Sequence, residues 1–429
     1  MQGATAVYTI SSQLGFEAIF AGHKPRVFGQ PFYAGWGLTI DEQTFPRRNR
    51  ELTRAQLFAG AMMLYPKWYD PHADALCSVD QIIDILSARA RAHSQDRHGH
   101  HALNMRRWKH PHIRSFFGGN VTFRASDSVM SPLIWGAGET QASAPIRVED
   151  GFLRSRGLGA SLVPPLSLVA DETGIYYDPS RPSDLEELIS ASTELPQAER
   201  NRAGRLVAKI IETGTSKYNL PKTPLQDLPD GHRILVPGQV EDDASIRLGC
   251  GAIRTNLALL HETRTRNPDA VIVYKPHPDV EAGLRAGAIE RDIALENADF
   301  VATQSDPAQL IEQVDEVWTM TSLLGFEALL RGKPVTCLGT PFYAGWGLTQ
   351  DFGELHMLRR SARPDITAMA HAVLIGYPRY FDPVTRTICP PEVALDRLGD
   401  SDLRMPPVNK LLAWLQSILP ANFRTRERR

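Results

Sequence analysis

Residues 317–349 read VWTMTSLLGFEALLRGKPVTCLGTPFYAGWGLT, and the fold assignment starts from them. The apolar run VDEVWT (314–319) ends at Thr319-Met320-Thr321-Ser322, hydroxyl residues of the kind that open helices. A helix is predicted over 322–331, Gly332-Lys333-Pro334 breaks it, and PVTCLG (334–339) reads as the next strand. The same strand–helix–strand unit occurs near the start of the chain as VYTISSQLGFEAIFAGHKPRVFGQPFYAGWGLT. PFYAGWGLT is identical at Pro31–Thr39 and Pro341–Thr349, 310 positions apart. The echo continues from YPKWYDP (65–71) to YPRYFDP (377–383), and from Cys77 to Cys389. Solenoid and propeller repeats recur every ~20–50 residues, so this spacing means two homologous domains in tandem. The first copy is expected to lack everything upstream of its final stretch, since its matching segment begins almost at Met1.

Working outward, RILVPG (233–238) and VIVYKP (271–276) alternate with a helical region at 244–265 and precede the opening unit. Regular strand–helix alternation predicts an α/β fold with doubly wound parallel sheets. Further upstream, VTF (121–123), LIWG (133–136) and PIRVE (145–149) are apolar runs bounded by Gly and Pro. SLVAD (167–171) and IYYD (175–178) flank Glu172-Thr173-Gly174 as an expected hairpin, and a helix is expected over 183–213. The resulting division is a first-module remnant at 1–90, a His-rich basic linker at 91–115 and a complete second module at 116–403. Within that module, 116–225 would form the acceptor-side half and 226–403 the nucleotide-side half, followed by a helix and basic tail at 404–429. Two facing Rossmann-like halves with a cleft between them are similar to the GT-B glycosyltransferase architecture.

A chain of 429 residues, 42% hydrophobic and 22% charged, belongs with globular proteins of two or three domains. Its formal charge of −2 gives no reason to expect a nucleic-acid partner. Four cysteines do not make a disulfide framework; Cys77 and Cys389 suggest a shared packing role and a reducing, cytoplasmic setting. No apolar stretch reaches 18 residues and no signal-peptide pattern is present.

The chemistry is expected at strand ends, where open α/β sheets bind ligands. Lys275 and His277 follow a β-branched run, in a loop stiffened by Pro276 and Pro278, and suit a nucleotide phosphate and ribose. Thr321 and Ser322 open a helix whose amides favour an anion, and Glu327 on that helix is placed for a ribose hydroxyl. Two acidic loops, Glu149-Asp150 and Glu241-Asp242-Asp243, follow apolar runs in the two halves. If the halves face each other, these carboxylates converge as a nucleophile and an acid/base require. Solvated turns are the plainer reading of each loop alone. Ser216-Lys217-Tyr218-Asn219 is a polar cluster that could enter the cleft. Lys109-His110-Pro111-His112 also contains His-Pro, but no strand is expected before it, so no function is assigned to it. His98, His100 and His101 lack ligand spacing with cysteine, so no metal site is expected. Leu411, Leu412, Trp414, Leu415, Ile418 and Leu419 form one apolar helix face before the basic tail 424–429, suited to core packing or to an anionic membrane surface.

EDGFLRSRGLG, TSKYN, VPGQVEDDASI, YKPHPD, TSLLGFEAL and PFYAGWGLT, taken together and in this order, resemble the KpsC-type (LipA-type) capsule polysaccharide β-Kdo transferases. The resemblance covers essentially the whole chain. It implies a GT-B fold, CMP-Kdo as donor, no cofactor, and a glycolipid acceptor of the lyso-phosphatidylglycerol type at the cytoplasmic face of the inner membrane, among capsule assembly and export proteins. Carried over residue by residue, His277 with Pro278, and Thr321 with Ser322, would bind the CMP portion; Gln239, Arg154 and Lys217 stand in the matching motifs. Asp243 would be the nucleophile of a double displacement, with Asp242 second, and Glu149 the acid/base, with Asp150 second. By analogy with retaining glycosidases, the two carboxyl groups would stand about 5–5.5 Å apart. Lys275, His277 and helix amides would stabilise departing CMP without a metal. Position as the second module suggests a β-2,7 linkage.

The resemblance departs at the N-terminus, where Thr9, Ser11, Ser12 and Glu17 match but no acidic loops or His-Pro segment precede them. Residues 1–90 are therefore expected not to catalyse transfer, as in a truncated gene, a split gene or a fragmentary sequence. Half a Rossmann-like domain should also expose apolar surface. The rival readings are a UDP-sugar epimerase and a non-catalytic remnant that binds glycolipid or capsule-assembly partners.

Overall fold

The computed structural model describes residues 1, 3–123, 130–138, 140–158, 162–219, 227–353 and 358–400. The expected C-terminal helix and basic tail lie outside the described residues. The chain divides into two compact units, residues 1–87 and 88–429, and the helix Val79–Asp96 carries it from one to the other.

The first unit has a three-stranded parallel sheet of Tyr8–Thr9, Arg26–Val27 and Ile40–Asp41, with the helix Leu14–Phe20. Phe16, Ile19, Val27, Tyr33, Ala34 and Leu57 make its small core. As expected, apolar side chains remain uncovered. Tyr65 is 90% exposed where its counterpart Tyr377 is 7%, and Phe28 is 46% exposed against 5% for Leu338.

In the second unit, six parallel strands form one sheet in the order Phe300–Val301, Val271–Lys275, Arg233–Pro237, Glu316–Thr319, Val335–Cys337, Gln350–Asp351. Their near-continuous apolar runs suit a sheet buried on both faces. Alternate residues feed separate cores: Leu235, Val273, Val317 and Val335 on one face, Ile234, Val236, Ile272, Tyr274 and Trp318 on the other. The strand order reverses between Arg233–Pro237 and Glu316–Thr319, which opens a crevice beyond their carboxyl ends.

The other sheet has seven strands in the order Thr387–Cys389, Pro378–Asp382, Ser167–Asp171, Ile146–Asp150, Ser131–Trp135, His100–Ala102, Val121–Thr122. Its last four strands are parallel, and the first three join antiparallel. It too has a switch point, between His100–Ala102 and Ser131–Trp135.

This arrangement corrects several sequence-based boundaries. Residues 91–115 are not a linker: they hold the end of a helix, an interior strand of the seven-stranded sheet and most of the helix His110–Phe117. That strand, His100–Ala102, is held by His100, buried against the Phe117 ring and bonded through Nε2 to Asp96 Oδ1 at 2.8 Å. Residues 378–389 return to the seven-stranded sheet and do not belong to the nucleotide-side half. Tyr377 ties them there, its hydroxyl donating to buried Asp171 at 2.7 Å. No hairpin forms at 172–174, because Asp171 accepts from the amides of Thr173, Gly174 and Asp184 and turns the chain into the helix Asp184–Ala191. The region 183–213 is two helices, Asp184–Ala191 and Gln197–Thr213, and 244–265 is likewise split into Ala244–Gly249 and Asn256–Arg266.

The repeated nonapeptide is a clasp. In both copies the tyrosine hydroxyl (Tyr33, Tyr343) donates to the carbonyl of the serine that precedes the helix (Ser12, Ser322). The tryptophan indole (Trp36, Trp346) donates to the phenylalanine carbonyl four residues back at 2.8 Å. Arg48 and Arg360 each donate to the matching proline and alanine carbonyls of the loop. The tyrosine ring occupies the space beside Gly325, where an added Cβ would stand 2.2 Å from the Tyr343 oxygen. Gly325→Ala is therefore expected to lower unfolding free energy by about 1–3 kcal/mol through overpacking, measured by urea denaturation; an unchanged midpoint would refute the clasp.

Candidate active site

The carboxyl ends of strands from both sheets of the second unit surround one cavity of about 730 Å³, within the size range of small-molecule sites. On the six-stranded side, three strand-to-helix loops reach it. Gln239, at the first, accepts from the Thr321 amide at 2.9 Å and donates to the Thr321 hydroxyl at 3.0 Å, which latches the two loops across the switch point. Gln239 is itself fixed by buried Asn256, whose side-chain amide accepts from the Gln239 N–H and donates to the Gln239 carbonyl, each at 2.8 Å. Asp243 follows at the start of the helix Ala244–Gly249 and accepts from the Ser245 hydroxyl at 2.8 Å.

At the second loop, His277 lines the cavity and caps the helix Pro278–Glu281, its Nδ1 accepting from the Asp279 amide at 3.1 Å. Burial, with the Lys217 and Lys275 ammonium groups close by, pushes its pKa down to about 3. The ring is thus neutral, with its proton on Nε2 and available to a ligand oxygen. Pro278 lines the cavity beside it. At the third loop, Ser322 caps the helix Leu323–Leu330 by accepting from the Leu324 amide at 3.2 Å. Glu327 on that helix is 8% exposed, accepts from the Lys217 amide at 2.9 Å, and is pushed up to about 7 by burial.

From the seven-stranded sheet, Glu149 and Asp150 end the strand Ile146–Asp150 and enter the same cavity. Burial, with Asp150 and then Asp243 adding repulsion, pushes the Glu149 carboxyl up to about 7 against the pull of Lys109. Asp150 behaves oppositely. Burial works to raise its pKa, but Arg154, bonded to it at 2.6 Å, outweighs burial and holds it below the ordinary carboxylate range. Two adjacent carboxyls thus have separated protonation behaviour, the pattern that assigns acid and base roles. Lys217 and Tyr218 complete this wall, with His277 edge-on to the Tyr218 ring at 6.2 Å.

The sequence-predicted residues therefore gather at one cavity, with two qualifications. Asp242 is not among the lining residues; it pairs with Arg285 at 2.9 Å. Lys275 lines the cavity, but the residue is 3% exposed and its ammonium is bonded to Glu281 and the Pro276 carbonyl, each at 3.0 Å. The sequence reading missed Lys109, with Trp108 and Arg106 beside it, and Tyr176 and Tyr177, which all line the cavity. A strand does precede Lys109, and the segment given no function lies at the switch point of its sheet. That strand is His-His-Ala, without the apolar run that announces a strand.

The chain is a member of the capsule polysaccharide biosynthesis protein family, whose pattern matches residues 1–67, 136–227 and 222–380. Among named relatives, it is 40% identical over 423 residues to the capsule polysaccharide modification protein LipA of Neisseria meningitidis serogroup A, covering 92% of this chain and 59% of LipA. It is 48% identical over 262 residues to the lipopolysaccharide-processing protein LpsZ of Rhizobium meliloti, covering 58% of this chain and 59% of LpsZ. The chain thus spans 59% of LipA's length. Of solved structures, the β-Kdo 2,7 transferase of Thermosulfurimonas dismutans KpsC matches with a TM-score of 0.58 at 36% identity, over 70% of this chain and 98% of that one. The β-Kdo 2,4 transferase of the same KpsC matches with a TM-score of 0.62 at 31% identity, over the same shares.

Proposed function

We propose that the second unit is a retaining β-Kdo transferase of GT-B type, using CMP-Kdo and a Kdo-terminated glycolipid acceptor in capsule linker synthesis. One observation carries this reading most directly. Glu149 and Asp243, from strand ends of different sheets, line one cavity together with His277 and the helix start at Ser322.

The Asp243 carboxylate attacks the anomeric carbon of Kdo while the bond to the phosphate oxygen breaks, and CMP leaves with the electron pair. The Nε2–H of His277 and the amides at the Ser322 helix start bind its phosphate. Glu149 then takes the proton of the acceptor hydroxyl as that oxygen attacks the same carbon, and Asp243 is released. Two inversions give net retention. Lys275, bonded to Glu281 and to the Pro276 carbonyl, supports the loop that carries His277. The second unit's place as the second module is the ground for assigning the β-2,7 linkage. The acceptor's lipid would bring the protein to the cytoplasmic face of the inner membrane, beside capsule export components.

Incubation with CMP-Kdo and a Kdo-terminated acceptor, with NMR of the product, tests the reading. Formation of a β-linked Kdo disaccharide and binding of CMP are expected. CMP binding without transfer would favour a non-catalytic role, and neither binding nor transfer would sink the proposal.

A further inference from the structure

Lys109 ends the turn Arg107–Lys109 at the switch point of the seven-stranded sheet. Its ammonium stands 3.0 Å over the Trp135 ring and 5.4 Å from that of Trp108, facing the cavity. Among the described residues, no hydrogen-bond acceptor or carboxylate partners it, whereas Arg154 is bonded to Asp150 and Arg285 to Asp242. Trp135 lies in register with Val148, one residue before Glu149. An added Cβ at Gly136, the next residue, would stand 3.3 Å from Glu149 Oε2. The cation, its aromatic support and Glu149 therefore share one sheet edge, opposite the nucleotide loops.

Resting on the function proposed above, we infer that Lys109 binds the carboxylate of the acidic sugar at the transfer site and thereby sets specificity for a carboxylate-bearing sugar. The donor's anomeric carbon bears a carboxylate, and that carbon must lie between Glu149 and Asp243 for either to act on it. An anion placed there meets Glu149, Asp150 and Asp243, and like charges repel it unless a cation offsets them. An ammonium backed by indole rings, with its N–H groups unclaimed, supplies that charge and a charge-assisted hydrogen bond. The acceptor's terminal sugar carries the same chemistry, so donor and acceptor are the two possible sources of the carboxylate. Burial pushes the Lys109 ammonium down to about 8, with Arg106 and Arg154 acting in the same direction and Glu149 and Asp150 opposing; His112 is also nearby. The carboxylate contact should accordingly weaken as pH rises through about 8.

The test is steady-state transfer by wild type, Lys109→Met and Lys109→Arg across pH 6–9.5, with CMP affinity measured by calorimetry. Lys109→Met is expected to raise one KM by about 10- to 100-fold, the loss of a charge-assisted bond, while the Kd for CMP stays within about twofold. A rise in the CMP-Kdo KM assigns the donor carboxylate, and a rise in the acceptor KM assigns the acceptor's. Lys109→Arg, which keeps its charge, should remove the alkaline loss seen in wild type. Unchanged KM values in Lys109→Met would overturn the inference, as would an equal loss of CMP affinity, which would make the role structural. Absence of transfer by wild type would remove the proposed function and this inference together; transfer by wild type with an unaltered Lys109→Met removes this inference alone.

Discussion

Asp243→Ala is expected to lower the rate of Kdo transfer by about 10⁴-fold or more, because without the nucleophile neither half of the double displacement can proceed. CMP binding should survive, since the phosphate contacts assigned to His277 and Ser322 lie on other loops. Asp242→Asn is the informative control. Asp242 is bonded to Arg285 and is not among the cavity-lining residues, so its loss should cost no more than about tenfold, the equivalent of one surface ion pair or less. Steady-state assays with CMP-Kdo separate the two variants. Substantial transfer by Asp243→Ala would move the nucleophile to another carboxylate, and Asp150, held ionised by Arg154, is the next in place.

Glu149→Gln should reduce transfer by about 10²- to 10⁴-fold, the range for a positioned general base. The pH profile gives its own signature. Because Glu149 is pushed up to about 7, its base form is present above that pH and is lost as pH falls below it. Wild-type transfer should therefore decline on the acid side with a midpoint near 7, well above an ordinary carboxylate, and the residual activity of Glu149→Gln should lack that decline. An acid limb near 4 to 5 in wild type, or the same limb in the variant, would assign the titration to a different group.

Much of this site was legible because its residues follow apolar runs. Lys275 ends a strand of the six-stranded sheet and His277, Thr321 and Ser322 lie just past strands of it, whose apolar runs announce themselves. Asp243 and Glu149 were found the same way. Lys109 was not, because its strand, His100–Ala102, is polar and gains its place from a histidine–aspartate bond and a phenylalanine ring that no local pattern encodes. The hairpin expected at 172–174 failed for a related reason: a single buried carboxylate, Asp171, gathers three amides and redirects the chain. Return of 378–389 to the other sheet is a long-range choice fixed by Tyr377 reaching Asp171. The repeated PFYAGWGLT has a local role that its repetition does not reveal: its tyrosine and tryptophan, with Gly325 beside the tyrosine ring, form the clasp that steadies the Ser322 helix start.

The central claim is that sugar passes through a covalent bond to this protein, and intact-mass spectrometry of Glu149→Gln incubated with CMP-Kdo addresses it directly. The variant can still be glycosylated but is slow to hand the sugar on. A mass increase of one Kdo residue is expected, mapping after proteolysis to the peptide carrying Asp243 and absent from Glu149→Gln combined with Asp243→Ala. Wild-type transfer with no adduct in Glu149→Gln, or an adduct that persists in the double variant, would contradict the account.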